Sequence, residues 1–165
     1  MEIIPLLLKE FTQEAEITRK FLKLVPADKF DWKPHEKSMS LKQLSVHIAE
    51  LPSWTHMALN TDGMDFAESD YTPTPVKNSE ELLSLFEDSF EKGKESLKEA
   101  GEKDLQPTWT MRNGDQILNR MTKYEVIRHS FSQTTHHRAQ LGVYLRLLDI
   151  PIPGSYGPSA DDQSF

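Results

Sequence analysis

Three side chains that could bind a metal ion stand out in the sequence. Gln133 and His137 lie four residues apart in a late amphipathic segment, and His47 lies in an earlier one. Side chains four apart on a helix share a face, with Cβ atoms about 5–6 Å apart, so both can reach one ion if a third ligand comes from a facing helix. Metal-assisted chemistry therefore depends on whether Gln133 can act where a histidine would be expected.

The segment that carries Gln133 and His137 is predicted to be the last and longest helix. Thr122 and Glu125 match a capping box, in which each side chain satisfies an amide at the start of a helix. Apolar residues then recur at helical spacing until Pro151: Val126, Ile127, Phe131, Leu141, Leu145 and Leu148. The pattern predicts helix four, with a length of about 28 residues.

The segment that carries His47 is predicted to be helix two. Ser40 and Gln43 match another capping box, and the apolar stripe behind them continues to about Leu59. Pro52 lies inside this stripe, where it removes one backbone hydrogen bond and clashes with the carbonyl four residues earlier. We therefore expect one helix with a kink close to His47.

Two further helices are predicted from the same signals. Apolar residues follow the helical repeat over about residues 3 to 24 and stop before Pro26, which defines helix one. Asn78 with Glu81 forms a third capping-box pattern, and the apolar stripe after it predicts helix three over about 79 to 100. Each helix has one apolar face that needs a partner to cover it.

The connections between these helices differ in character. Thr61 to Asn78 is rich in glycine, proline and polar residues, which predicts a long loop. Asn113-Gly114 lies between two short segments, 109–112 and 115–118, and suits a two-residue turn with positive φ at both positions. A small hairpin, or a hairpin-like loop, is expected before helix four.

Together these elements predict an all-α fold, an antiparallel four-helix bundle in which the apolar stripes pack around one core. Residues 1–165 are expected to form a single domain, because 165 residues suffice for one sizeable core but scarcely for two. The three tryptophans, which do not lie among basic residues, are expected in the core or in the wall of a pocket.

Composition narrows the classes of partner. The net charge of −7 opposes attraction to phosphate backbones, and no basic cluster with interleaved aromatic residues offsets it, so nucleic acid is not expected as a partner. No apolar run approaches the roughly 20 residues of a membrane span, and no secretory leader is visible. The absence of cysteine leaves no thiolate ligand or nucleophile. A cytoplasmic location is the default expectation.

Four segments of the chain resemble the DinB/YfiT-like family, and the order and spacing of the helices resemble it as well. They are His47-Ile48-Ala49-Glu50, His136-His137-Arg138-Ala139-Gln140-Leu141, Tyr144-Leu145-Arg146-Leu147-Leu148 and Tyr156-Gly157-Pro158-Ser159. The resemblance implies a four-helix bundle, often dimeric, with a metal held by one histidine on the second helix and two histidines four apart on the last. By position these ligands are His47, Gln133 and His137.

The middle ligand position departs from the family pattern, because Gln133 stands where a histidine is usual. A neutral amide oxygen binds zinc or nickel more weakly than imidazole does. The resemblance therefore implies a divalent metal, zinc or nickel, that is bound weakly or not at all. Without the resemblance, His47 would be interpreted as a hydrogen-bonded core histidine, and a Gln-xxx-His pair is common by chance.

Nearby residues receive other interpretations. His129 lies eight residues from His137, about 12 Å along a helix, which is too far to share one ion. His136 points about 100° away from His137 and is expected to meet a neighbouring helix or a subunit interface. Glu50 is expected in a surface salt bridge, or bonded to an imidazole or a metal-bound water. Arg138 and Gln140 are expected to tie helix four to its neighbours.

Three hypotheses of function follow. The first is a metal-dependent enzyme, of the thiol S-transferase or hydrolase type, in which the resemblance implies a small-molecule substrate and a low-molecular-weight thiol. The second is a non-catalytic stress-response or small-molecule-binding bundle with a degenerate metal site, which Gln133 would explain. The third is a structural dimerisation protein. The resemblance also implies a homodimer.

Overall fold

The computed structural model describes residues 2–69 and 72–163. These residues form five α-helices, two short 3-10 turns at Ala27–Lys29 and Glu102–Leu105, and three β-strands. The helices are α1 Ile3–Leu22, α2 Leu41–Glu50, α3 Ser53–Asn60, α4 Ser79–Glu99 and α5 Lys123–Leu147. The strands are β1 Gly63–Asp65, β2 Thr108–Asn113 and β3 Gln116–Thr122. No helix in the described part of the chain is long and apolar enough to cross a membrane.

The prediction of an all-α four-helix bundle is wrong, because the fold also contains a mixed sheet and a fifth helix. The strands are ordered β1-β2-β3, with β1 parallel to β2 and β2 antiparallel to β3. Helices α4 and α5 each contact α1 as well as α2 and α3. The helical core therefore persists, and the sheet lies beside it.

Pro52 breaks the predicted second helix into α2 and α3. Leu51 still donates its amide to the carbonyl of His47 at 3.1 Å, but the chain after Glu50 turns through shorter-range bonds, among them Ser53 Oγ to the Glu50 carbonyl at 2.7 Å. A proline inside a helix removes one donor and clashes with the preceding turn. The position of the disturbance was predicted correctly, but its result is two helices rather than one kinked helix.

Gly93 allows α4 to pack closely against the chain at Pro52. A Cβ atom at that position would lie 2.6 Å from the carbonyl oxygen of Pro52 and 2.8 Å from the ring of Phe11. Real Cβ atoms do not make contacts this short, so any larger residue would force the helices apart. The glycine thus sets the distance between α4 and the end of α2.

The capping boxes at the starts of α2 and α5 are confirmed. The side chain of Ser40 accepts from the amide of Gln43 at 3.1 Å, and the Gln43 side chain accepts from the amide of Ser40 at 2.8 Å. Thr122 and Glu125 make the same reciprocal pair at 3.2 and 2.7 Å. These local signals fixed both helix starts, because each satisfies amides that otherwise lack a partner.

The segment predicted as the long loop contains β1. Gly63 pairs with Thr110 so closely that a Cβ atom would lie 2.3 Å from the Thr110 carbonyl oxygen, which only glycine permits. The carboxylate of Asp65 accepts from the amides of Ala67 at 2.9 Å and Gly114 at 2.8 Å. Asp65 therefore ties the end of β1 to the turn of the β2–β3 hairpin.

The predicted hairpin exists, but its turn lies one residue later than expected. Asn113 pairs with Gln116, so Gly114 and Asp115 are the two central residues. Gly114 has a φ of 59°, and Asn113 does not have a positive φ. A glycine with positive φ at the first central position is typical of a type II′ turn.

The C-terminal tail is fastened to the helices by a buried arginine. Arg138 of α5 is 2% exposed and pairs with Glu14 of α1 at 2.7 Å, which confirms that it ties the last helix to a neighbour. Its guanidinium also donates to the hydroxyl of Tyr156 at 2.7 Å, and that hydroxyl donates to Glu14 at 2.7 Å. One tail residue thus joins two helices.

Candidate functional site

Two of the three predicted metal ligands meet in the structure. His47 lies in the last turn of α2, and His137 lies on α5, which packs against it. Their ring centroids are 4.6 Å apart, and the rings are nearly perpendicular. Both side chains are half-buried. The structure therefore places two imidazoles from different helices in contact, at the edge of the helical core.

The surroundings of both imidazoles favour their neutral form. Burial lowers the pKa of His47, and the proximity of His137 lowers it further, against a smaller opposing effect of Glu50. Burial also lowers the pKa of His137, with the hydrogen bond to Gln140 acting in the opposite direction. A neutral imidazole keeps a lone pair on one ring nitrogen, which is the form that binds metal ions.

Gln140 orients the ring of His137. Nδ1 of His137 lies 2.9 Å from the amide oxygen of Gln140, and the amide nitrogen of Gln140 lies 3.1 Å from Nε2 of His136. Because an amide oxygen can only accept, Nδ1 of His137 carries the proton and its Nε2 keeps the lone pair. Metal-binding histidines in proteins are usually held by such a second hydrogen bond.

Gln140 was expected to join the last helix to its neighbours, and that prediction is wrong, because both of its bonds stay within α5. The ring of His136 packs against that of His137 at 4.9 Å, and its side chain is exposed. Gln140 follows His137 by three residues and His136 by four, so one side chain can contact both rings. That spacing is the one sequence signal that could have revealed the arrangement.

Gln133 lies one helical turn before His137, and its amide contacts another histidine. Its side-chain nitrogen is 3.4 Å from Nε2 of His129, an exposed residue. Within residues 2–69 and 72–163, no group of three His, Cys, Asp or Glu side chains could hold a metal ion. The structure thus brings together the imidazoles of His47 and His137, whereas the recorded contact of the Gln133 side chain is with His129.

A cavity of about 690 Å³ opens beside His47. Its described lining is mainly apolar, and the apolar residues come from α3, β1 with the turn after it, and α4. They are Trp54, Met57, Met64, Phe66 and Leu85. Volumes of this size are typical of small-molecule sites. The imidazole pair thus borders a space that can hold a small organic molecule.

Glu50 fastens the rim of this cavity. Its carboxylate accepts from the amide of Thr74 at 3.0 Å and from the hydroxyl of the same residue at 2.7 Å. Glu50 was expected in a surface salt bridge, or bonded to an imidazole or a metal-bound water, and its contacts with Thr74 attach the segment before α4 to the end of α2. Glu50 therefore shapes the entrance one turn away from His47.

Comparison with known proteins agrees with the fold. The model of the DinB family matches residues 2–163. Crystal structures of DinB-like proteins from Bacillus subtilis and Bacillus cereus are each 19% identical to this chain, with TM-scores of 0.71 and 0.70. The matches cover 90% of this chain in both cases, and 96% and 94% of the respective relatives.

A third crystal structure, assigned to the DinB family and from Exiguobacterium sibiricum, is 21% identical with a TM-score of 0.72. That match covers 93% of this chain and 97% of the other. No curated protein matches the chain in sequence. The solved structures share the fold, and the family model spans nearly the whole chain, so this protein belongs to the DinB family.

Proposed function

We propose that the protein binds a divalent metal ion through His47 and His137 and acts on a small molecule in the adjacent cavity. One observation carries this proposal: two imidazoles from different helices lie in contact, and one of them lines a cavity of about 690 Å³. The proposed reaction class is transfer of a low-molecular-weight thiol or hydrolysis. A bound zinc or nickel ion would lower the pKa of a thiol or a water at such a site.

Each side chain has a distinct part in this proposal. His47 and His137 supply imidazole nitrogens, and Gln133 supplies an amide oxygen from one turn earlier on α5. Gln140 holds the ring of His137 so that Nε2 keeps its lone pair. The apolar walls of the cavity exclude water from around the substrate, which strengthens polar interactions at the imidazole edge.

The test is titration calorimetry with zinc and nickel chlorides on protein purified without an affinity tag. We expect Gln133→His to raise the affinity, because imidazole is a stronger ligand than an amide for these ions. His137→Ala should abolish binding at the site while leaving the helix content unchanged. His35→Ala is the control, because His35 is an exposed histidine that lies outside α2 and α5. Equal affinities of the parent and Gln133→His would remove residue 133 from the ligand set.

Two observations favour a second function. The side chain of Gln133 contacts His129, and among the described residues no third His, Cys, Asp or Glu side chain joins the two imidazoles. In that alternative the protein is a non-catalytic bundle that binds a small molecule or serves in a stress response. Elemental analysis of the untagged protein separates the alternatives. Stoichiometric zinc or nickel supports the metal-dependent enzyme, and its absence together with retained ligand binding supports the second function.

We further propose that the chain forms a homodimer. The exposed apolar side chains of Val143 and Leu147 on α5, which are 60% and 57% exposed, support this proposal. Sedimentation at micromolar concentration is the test, and a strictly monomeric profile would contradict it.

A further inference from the structure

The walls of the cavity beside His47 come from α3, from β1 with the turn after it, and from α4, which contributes Leu85. Trp54 and Met57 are three residues apart on α3 and therefore share one face of that helix. Met64 of β1 and Phe66, in the turn that follows β1, also line the cavity. The cavity is thus lined by two aromatic rings and two thioethers on different elements.

The position of Phe66 is fixed by the backbone rather than by chance packing. Its amide donates to the carbonyl of Arg112 at 2.9 Å, which continues the pairing of β1 with β2. Phe66 remains 42% exposed although it lines the cavity. An aromatic ring held at the border of a cavity by the sheet offers a flat face to an incoming molecule.

The charged side chains around the cavity disfavour an anion. Among the described lining residues, Glu50 and Asp88 are acidic and Lys92 is basic, which leaves one excess negative charge. The chain as a whole also carries a net charge of −7. A negatively charged ligand would approach against this field, whereas an uncharged one would not.

We propose that this cavity binds an uncharged aromatic molecule of about two or three rings, which lies against Trp54 and Phe66 and next to His47. The volume of about 690 Å³ accommodates such a molecule, and thioethers such as those of Met57 and Met64 make favourable contacts with aromatic rings. This inference names the class of substrate for the proposed enzyme. Binding of the molecule in the cavity does not depend on the proposed function, whereas its chemical conversion does. Binding itself needs no metal.

The test uses two fluorescent probes that share one aromatic scaffold. N-phenyl-1-naphthylamine is uncharged, and 8-anilinonaphthalene-1-sulfonate carries an additional sulfonate. Both are titrated into the full, untagged chain in the presence of a chelator. We expect the uncharged probe to bind at least about tenfold more tightly than the sulfonate, because the lining opposes the anion. Equal binding, or tighter binding of the sulfonate, would overturn the inference.

Variants locate the bound probe. Leu85→Trp should fill part of the cavity and Trp54→Ala should remove an aromatic wall, so each is expected to weaken binding of the uncharged probe about tenfold or more. Val143→Ser is the control for the separate apolar groove along α5, and because Val143 also belongs to the surface proposed for the homodimer, sedimentation of this variant is measured together with its probe binding. Circular dichroism verifies that each variant is folded. Loss of binding in Val143→Ser alone would place the probe in the other groove and refute the proposal.

A charge variant tests the selectivity without touching the apolar walls. Asp88 is exposed, so Asp88→Lys should leave the fold intact and raise the affinity for the sulfonate relative to the uncharged probe. An unchanged ratio would contradict the electrostatic part of the argument. Metal titrations of the same preparations keep the two proposals separate: probe binding without metal binding contradicts only the proposed function, and the reverse contradicts only the cavity inference.

Discussion

Replacing Tyr156 by phenylalanine removes a single oxygen atom from the junction of the tail with α1 and α5. That hydroxyl accepts from Arg138 at 2.7 Å and donates to Glu14 at 2.7 Å. Hydrogen bonds to charged groups contribute about 1.5–3 kcal/mol. Because Tyr156 is 63% exposed, water can replace part of the lost bonding, so we expect a loss of about 1–2 kcal/mol.

The free energy of unfolding is measured by urea denaturation, and the melting temperature should fall by roughly 2–8 °C for a chain of this length. Tyr144→Phe is the matched control, since its hydroxyl makes one bond of 3.2 Å to the carbonyl of Met39, worth about 0.5–1 kcal/mol. If Tyr156→Phe loses no more stability than Tyr144→Phe, then the tail junction does not stabilise the fold as inferred.

Two further substitutions test the packing and the electrostatics of the helices. Gly93→Ala should destabilise the protein by about 1–3 kcal/mol in urea, since the added methyl would meet the Pro52 carbonyl, whereas Gly142→Ala, whose added Cβ atom meets only a phenylalanine ring at 3.2 Å, should cost less. The bond from Arg19 lowers the pKa of Glu87, so its carboxylate stabilises the fold above its unfolded pKa, and this contribution is lost as pH falls. Between about pH 6 and pH 3, the free energy of unfolding of Glu87→Gln should therefore fall less than that of the parent protein. Identical pH profiles of the parent and the variant would contradict this assignment.

The sequence predicted the starts of helices well where a side chain hydrogen-bonds to backbone amides within the same turn. The caps at Ser40 and Thr122 lie where the sequence placed them, because a capping box acts over four residues. The sequence predicted one kinked helix at Pro52, whereas the chain forms two helices there. The close approach of α4 at Gly93 is a tertiary contact, which local sequence signals do not reveal. Strand β1 was missed because three residues carry no periodic pattern, and its pairing with β2 depends on the folded chain.

The candidate site was predicted in part. The resemblance to a family identified His47 and His137, and the structure places their rings in contact. The role of Gln133 as a ligand remains a prediction. The contacts of Gln140 and Glu50 were not foreseen, because a single polar residue on a helix has several possible partners until its neighbours are fixed.

The short strand β1 also bears on the order in which the protein assembles. Helices form from local contacts, whereas Gly63 can pair with Thr110 only after the whole of α4 has been brought into place. A three-residue edge strand is also among the least protected parts of a fold, and regions of this kind open without global unfolding. The wall that carries Met64 is therefore expected to form last and to exchange its amide hydrogens first, so a ligand could enter while the helices remain intact.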